Sequence, residues 1–334
     1  MPHVLPEFKQ KKILVCGAGG FIGNHLVNDL KKQGHYVIGV DLHYPNFNCA
    51  AADDSSAADE FIIADLTEQQ EVNNLIDSSI YEIYQLAANM GGAGYIFTGT
   101  NDANIMRVSS KININILERV ITTKNKIFYA SSACVYPEGI QSVPDSPFGL
   151  KEKWAYPANP DSEYGWEKLY SERLYESHAR NYGLNIRIAR LHNIYGPMCS
   201  FNDGREKAIA AICRKVFEST GEVDVWGTGT QTRSFLFINE CLTGIHKLMA
   251  SDYKSPVNLG SDRSISINDL TLLVAKIAGK DVKINNIDGP VGVIGRNSNN
   301  DLIRKILNWA PATDLEYGIK QTYDWIASEL TKKS

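Results

Sequence analysis

The segment Lys12-Ile13-Leu14-Val15-Cys16-Gly17-Ala18-Gly19-Gly20-Phe21-Ile22-Gly23 opens as a short apolar run and breaks into glycines at a G-x-x-G-x-x-G spacing. It continues into an amphipathic stretch from Phe21 to Gln33. This reads as a strand, a tight turn and the start of a helix. Glycine permits the turn, lets backbone N–H groups come close to a pyrophosphate, and allows helix and strand to pack tightly. Gly17, Gly20, Phe21, Ile22 and Gly23 are therefore candidate dinucleotide ligands. A glycine triplet alone is a weak signal, and its context strengthens it. A second apolar run, Tyr36 to Val40, ends in Asp41, eighteen residues beyond Gly23, where an acidic side chain accepts hydrogen bonds from ribose hydroxyls. Asp41 would repel a 2′-phosphate and no arginine follows it, which favours NAD over NADP. Ala64-Asp65-Leu66 after the next strand makes Asp65 and Leu66 candidates for holding adenine. Leu86-Ala87-Ala88 offers small side chains to the cofactor, with Leu86 and Ala87 as the candidates.

Outward from this turn, apolar runs and amphipathic stretches alternate. A helix-like segment spans about Gln69 to Asp77, an apolar run Ile80 to Leu86, further helices about Ile105 to Thr123 and Tyr164 to Tyr182, and strands Lys126 to Ser131 and Asn185 to Leu191. The alternation predicts βαβ units and an α/β fold with a Rossmann-like, doubly wound parallel sheet. Gly183 stands where a helix C-cap glycine belongs. After Pro197 the texture changes, with Gly, Asp and Asn clusters at Asn202 to Gly204, Gly227 to Thr230 and Asp288 to Asn300. A smaller C-terminal α/β substrate lobe is expected there. The expected division gives residues 1–194, plus about 232–260, to the NAD-binding domain, and 195–231 with 261–334 to the substrate lobe. Ala50 to Ala58 reads as a surface loop.

Composition narrows the partners. The 334 residues are 43% hydrophobic and 22% charged, with a formal net charge of −4, the balance of an ordinary globular enzyme. Lys and Arg are scattered, so no basic face argues for nucleic acid or an anionic membrane. The six cysteines, Cys16, Cys49, Cys134, Cys199, Cys213 and Cys241, show no metal-binding spacing, and the N-terminus does not read as a signal peptide. Reduced thiols and a cytoplasmic location are expected, with no metal site. No apolar run approaches the ~20 residues that cross a bilayer.

Tyr164-Gly165-Trp166-Glu167-Lys168 is a Y-x-x-x-K pair opening a long helix, and residues four apart share a helical face. An ammonium beside the phenol would lower a pKa that starts near ~10, making Tyr164 a base for a sugar hydroxyl. Ser131-Ser132 follows a strand about thirty residues earlier, the right place for a third catalytic group, with Ser132 as the candidate. Glycine turn, acidic ribose ligand, serine and Y-x-x-x-K occur in the order that resembles an extended short-chain dehydrogenase/reductase, from about residue 12 to about residue 325. That resemblance implies a doubly wound sheet and a hydride-transfer triad of Tyr164, Lys168 and one of the two serines.

Within that superfamily, 4,6-dehydratases carry an Asp-Glu pair after the serine-bearing strand, where this chain has Ala133-Cys134, so dehydration is disfavoured. A C4 epimerase needs no further base. Ser131-Ser132-Ala133-Cys134-Val135-Tyr136-Pro137 and Gly204-Arg205-Glu206-Lys207-Ala208 are similar to the motifs that give the GDP-mannose 3,5-epimerases their acid-base pair. Met90-Gly91-Gly92, Leu191-His192-Asn193-Ile194-Tyr195-Gly196-Pro197, Cys213-Arg214-Lys215, Gln231-Thr232-Arg233-Ser234 and Gly295-Arg296-Asn297-Ser298 extend the similarity in order. It departs at Phe97 to Asn104, a slightly longer loop, and at Ile209, where the family usually has proline.

The resemblance implies a nucleotide-sugar epimerase, an isomerase that inverts C3, C5 or both of GDP-mannose or a close GDP-hexose or heptose through a transient 4-ketone, with enzyme-bound NAD recycled. The chemistry suits the residue types: C–H bonds next to a ketone are acidic, a thiol near ~8.5 becomes a thiolate beside cations, and Lys207 on the opposite face can return the proton. Cys134 is the expected base and Lys207 its partner. Lys215, Arg233 and Arg296 are cations suited to a diphosphate. In the resembled family the matching positions bind nucleotide-sugar phosphates, and Asn193 and Gln231 contact sugar or nucleotide. Gly91, Gly92, Ser132, Ala133, Cys134, Glu206, Lys207, Ala208 and Thr232 complete the expected substrate contacts. A homodimer through the helices at about 105 to 123 and 164 to 182 is likewise implied. His192 reads equally as an acid or a hydrogen-bonded structural histidine. Two other readings remain: a C4 dehydrogenase or 4-keto sugar epimerase-reductase resembling GDP-fucose synthase, and a catalytically silent nucleotide-binding protein.

Overall fold

The structure is a computed structural model and describes residues 10–47, 56–144 and 149–332. Cys49 and the first part of the loop expected at Ala50 to Ala58 lie outside the described residues. The chain runs β1 (Lys12–Cys16), α1 (Phe21–Lys32), β2 (Tyr36–Asp41), β3 (Glu60–Ile63), α2 (Gln69–Leu75), β4 (Glu82–Gln85), α3 (Ala93–Ile96), α4 (Asp102–Thr123), β5 (Lys126–Ser132), α5 (Glu163–Tyr182) and β6 (Ile186–Leu191). It continues through β7 (Ile194–Tyr195), α6 (Ala208–Glu218), β8 (Glu222–Trp226), β9 (Thr232–Ser234), β10 (Leu236–Phe237), α7 (Ile238–Ala250) and β11 (Val257–Leu259). The last elements are β12 (Ser264–Ser266), α8 (Ile267–Ala278), β13 (Lys283–Ile287), β14 (Gly295–Arg296), α9 (Asp301–Leu307) and α10 (Leu315–Thr331).

Seven strands form one sheet in the order β11-β6-β5-β4-β1-β2-β3, every neighbouring pair parallel. The chain leaves β1 toward β2 and β3, then returns to the other side of β1 as β4. That reversal opens a crevice beyond the carboxyl ends of β1 and β4, where such sheets take ligands. Parallel strands are buried on both faces and read as continuous apolar runs; Ile13, Leu14, Val15 and Cys16 of β1 are all at 0% exposure. The Rossmann-like sheet expected from the alternation is present. Elements differ from their expected bounds by a few residues at the ends: α4 begins at Asp102, and β4 pairs only from Glu82 to Gln85.

On one face, Ile112, Ile116, Leu117 and Val120 of α4 pack with Leu14, Ile38, Ile83, Ile127 and Ile188. On the other, Leu26, Val27 and Leu30 of α1 pack with Ile13, Val15 and Phe128, and this cluster runs on without a break. It includes Ile245 and Leu248 of α7, Val216 of α6, Val274 of α8 and Ile319 of α10. The later helices therefore share the core of the sheet.

The buried face of α5 is unlike the others. It carries Tyr164, Glu167, Lys168, Ser171, Glu172 and Tyr175, a stripe at helical spacing made largely of polar groups. Ser162 caps the helix by accepting from Gly165 N, and Gly183 ends it at φ 67°. Arg190 on β6 donates from Nε and Nη2 to the two oxygens of Glu172 at 2.8 and 2.7 Å, and Ser131 Oγ donates to Glu172 Oε1 at 2.5 Å. The pair is buried, and the carboxylate holds the Arg190 guanidinium above its ordinary range despite desolvation. Removing one partner of a buried pair strands the other charge. Glu172→Ala is expected to lower the unfolding free energy by about 3–5 kcal/mol in urea titrations; a loss below about 1 kcal/mol would show that the pair is dispensable.

Candidate active site

The glycine turn lies at the carboxyl end of β1. Gly17 N and Ala18 N donate to the Val40 carbonyl, at 2.9 and 3.1 Å. At φ 83°, Gly17 faces the chain after β4: a Cβ would come within 2.8 Å of Ala87 N and 2.9 Å of the Leu86 carbonyl carbon. A Cβ on Gly23 would collide with the Gly17 carbonyl oxygen. These approaches set α1 directly behind the turn. Gly20 is its N-cap and supplies no side-chain cap, so the first-turn N–H groups, including those of Phe21 and Ile22, are oriented toward an anion. Asp41 ends β2 and accepts from Gly19 N at 2.9 Å and Leu42 N at 2.7 Å. Burial pushes its carboxyl up, and those donors offset part of the rise. Gln85 fixes the opposite wall: its amide accepts from Ala87 N (3.1 Å) and donates to Ala87 O (3.0 Å). Leu66 is buried, with its carbonyl held by Asn115; Asp65 is exposed and caps Thr67 N at 2.8 Å. A cradle that no side chain could share, beside free helix N–H groups and the Asp41 carboxylate, fits a dinucleotide.

Beyond β5 the chain turns sharply through residues 133–135, and Ser132 Oγ accepts from Cys134 N at 3.2 Å. The two serines part here. Ser131 is spent on Glu172, whereas Ser132 faces the Tyr164 phenol, near enough to favour its phenolate. Lys168 Nζ lies 5.7 Å from the centroid of the Tyr164 ring and donates to the Ala130 carbonyl at 3.2 Å. One expectation is corrected. The lysine was to lower the phenol, but burial, then Cys134 and Glu167, push Tyr164 well up, against Ser132 and Arg296. Burial likewise lowers Lys168 itself. In a dry site desolvation outweighs one ammonium across a ring.

Cys134 is 9% exposed. Arg296 Nη1 donates to its Sγ at 3.1 Å, while Nη2 donates to Asp161 Oδ2 at 2.7 Å and Nε to Gln141 Oε1 at 2.6 Å. Sequence alone did not single out Asp161, Gln141 or Gly165. A Cβ on Gly165 would collide with the Cys134 carbonyl oxygen, so this glycine is what lets α5 bring Tyr164 up to Cys134. Lys207 stands at the N-cap of α6, its residue surface open to the crevice while protein packs around its ammonium. Burial lowers its ammonium, and Cys134 acts on it in the opposite sense, followed by Cys241 and Cys199. The preceding residues are pinned: Gly92 N donates to Arg205 O at 2.9 Å, and a Cβ on Gly92 would collide with Glu206 O. Gly91 abuts Tyr95, whose ring lies 4.5 Å under the Arg205 guanidinium. Glu206 Oε1 accepts from Arg214 at 3.4 Å, and its Oε2 is buried without a hydrogen bond.

Tyr164, Ser132, Ala133, Cys134, Lys168, Arg296, Lys207, Gly91 and Gly92 thus converge at the crevice. Arg233 is close enough that Arg296 helps lower it, after burial, to about 10; it donates to the Thr232 and Val291 carbonyls. The three expected phosphate cations have different settings. Arg296 is turned onto the thiol, Arg233 lies beside it, and Lys215 reaches the Asp224 carbonyl at 2.8 Å beside Trp226. Asn193, at φ 42°, donates to the Ser234 carbonyl, Gln231 to that of Trp226, and Thr232 N to that of Ile294. Ala208 opens α6, and Ile209 is in the shared core. His192 is fully buried, donates to Asn258 Oδ1 at 3.0 Å, and is pushed down to about 3 by burial: a neutral structural histidine. Phe97, heading the longer loop, packs against Gly292.

A doubly wound sheet, a glycine cradle and a Tyr-Lys-Ser group at one crevice define a dinucleotide-dependent enzyme that oxidises and re-reduces a hydroxyl. The chain belongs to the NAD dependent epimerase/dehydratase family, whose model matches residues 13–260, and NAD is its cofactor. It is 41% identical over 323 residues to the GDP-mannose 3,5-epimerase of Arabidopsis thaliana, covering 96% of this chain and 84% of that one. The UDP-glucose 4-epimerase of Thermotoga maritima superposes with a TM-score of 0.84 at 22% identity, over 96% of this chain and 99% of that one. The UDP-glucuronic acid 4-epimerase of Bacillus cereus, solved with UDP-glucuronic acid and NAD, gives 0.80 at 25% identity, over 95% and 99%. Among the described residues no helix is long and apolar enough to cross a membrane.

Asp41→Ala is expected to weaken NAD binding about 10- to 100-fold by calorimetry, and an unchanged affinity would remove Asp41 from the site. Because burial raises this carboxyl, acidification should release NAD above the pH at which an ordinary aspartate protonates.

Proposed function

We propose that this chain is a nucleotide-sugar 3,5-epimerase acting on GDP-mannose or a close GDP-sugar. Cys134 supports this reading most directly: it is buried beside the Tyr164 phenol, under a guanidinium, with Lys207 near enough to feel it. A C4 epimerase or a dehydratase has no use for that arrangement.

Gly17, Gly20, Phe21, Ile22, Gly23 and Asp41 would hold NAD, which would supply the acceptor for the C4 hydride and its return to the ketone. Tyr164, acting as the phenolate beside the Lys168 ammonium, takes the C4 hydroxyl proton, with Ser132 facing the phenol oxygen. The ketone makes the C3 and C5 protons acidic. Cys134 removes one from its face of the ring and Lys207 returns one from the other, inverting the carbon. Lys207, its ammonium disfavoured by the protein packed around it, gives up its proton more readily than a lysine in bulk water. Arg296 holds the thiol and balances charge there, and Arg233, Lys215, Asn193, Gln231 and Thr232 bind the phosphates and the nucleotide. The NAD-binding domain is 1–194 with about 232–260, and the nucleotide-sugar lobe is 195–231 with 261–334. The protein acts in the cytoplasm as a homodimer through α4 and α5, where Trp166 and Tyr170 leave apolar surface exposed.

Incubation with GDP-mannose in deuterium oxide is expected to place deuterium at C3 and C5, read by NMR, without net NAD reduction. Cys134→Ala should slow that exchange about 10²- to 10⁴-fold. Absence of label at both carbons, or stoichiometric NAD reduction, would overturn the reading in favour of a C4 dehydrogenase.

A further inference from the structure

Behind Tyr164 and Lys168 lies a carboxyl group that takes no part in the proposed proton and hydride transfers. Glu167 is at 0% exposure. Its Oε1 accepts from Ser171 Oγ at 2.7 Å and Asn113 Nδ2 at 3.3 Å. Its Oε2 has no hydrogen-bond partner and lies 3.8 Å from Lys168 Nζ. Asn113 Oδ1 in turn accepts from Gln85 Nε2 at 3.0 Å and the Tyr175 hydroxyl at 3.1 Å, and Gln85 holds the Ala87 peptide. The network thus links the carboxyl group to the cofactor wall.

A glutamine could accept the Ser171 and Asn113 hydrogen bonds through its own Oε1. Those bonds do not require a carboxylate, and a buried charge with one bare oxygen is costly unless the charge itself serves the site. The charge faces Lys168. We propose that Glu167 is a positioning residue for the C4 oxidation, its carboxylate setting the pH window in which the Tyr164–Lys168 pair exchanges a proton with the sugar hydroxyl. This rests on the reading that Tyr164 and Lys168 carry that step, in which the hydroxyl proton would pass to the Tyr164 phenolate oxygen as the hydride leaves C4 for NAD and C–O becomes C=O.

The sign follows from the neighbours. Lys168 is faced by Glu167 and Glu172 on its own helix, by Tyr129 and the Ala130 carbonyl from β5, and by Cys134 from the turn after it. Tyr164 is faced by Cys134 and Ser132 from the end of β5, by Arg296 from β14, and by Glu167. A negative charge disfavours phenolate and favours ammonium, so Glu167 raises both groups. Removing it while Cys134, Glu172 and Arg296 stay must lower both.

In Glu167→Gln, both limbs of the pH profile of kcat for deuterium exchange are expected to move toward acid by about one unit, giving roughly tenfold faster exchange on the acid limb. The phenol titration, read by ultraviolet difference between E167Q and E167Q/Y164F, should move the same way, and Glu167→Asp, which keeps the charge, should leave the profile in place. If E167Q does not fold, Ser171→Ala decides. It strips a donor from the carboxylate, and the profile should move alkaline by a few tenths of a unit. An unmoved profile in the folded variant overturns the proposal. Wild-type protein that exchanges nothing would count against the epimerase reading instead, and the phenol titration would then still decide for or against Glu167.

Discussion

A helix that buries charge in a core must find each charge a partner, because an isolated ion in the interior costs several kcal/mol. Helix α5 lives under that constraint. Its inward stripe carries Glu167, Lys168 and Glu172; two of them find partners in the sheet, Arg190 and Ser131 for Glu172 and the Ala130 carbonyl for Lys168, while Glu167 is held by Ser171 of its own helix and Asn113 of α4. Ser131 and Arg190 are themselves register partners across β5 and β6. The clamp therefore fixes helix, strand and register together, and Ser132 and Cys134 emerge at the end of the strand already aimed at Tyr164.

Steric contact refines what charge has fixed. Gly165 lets the first turn of α5 rest against the main chain at Cys134, and Gly17 lets the cofactor turn rest against Ala87. A methyl group at either place would push a reacting group off its partner. Catalytic geometry here depends on backbone against backbone, which side-chain flexibility cannot absorb.

This division explains which features the sequence revealed. The strand–turn–helix at Lys12 to Gly23 was legible because glycine spacing and apolar runs act locally, and Tyr164 and Lys168 were legible because four residues make one helical turn. What escaped depends on distance along the chain. Arg296 reads as a spare cation for phosphate until Asp161 and Gln141, 135 and 155 residues earlier, turn it toward Cys134. The upward push on the Tyr164 phenol escaped as well, because the depth of burial is a property of the whole fold. Glu167 did leave a trace: it falls on the stripe set by Tyr164, Lys168, Ser171 and Tyr175, where a charge signals a buried partner.

The junction of Gly92 with Arg205 and Glu206 has a historical consequence. The segment bearing Lys207 is bonded through its main chain to the loop after β4, so neither can drift alone. A side chain gained at position 92 would be inherited only with a compensating change near 206. Relatives that have exchanged one of these segments should have exchanged both, and new specificities on this scaffold would arise by paired replacement rather than single steps.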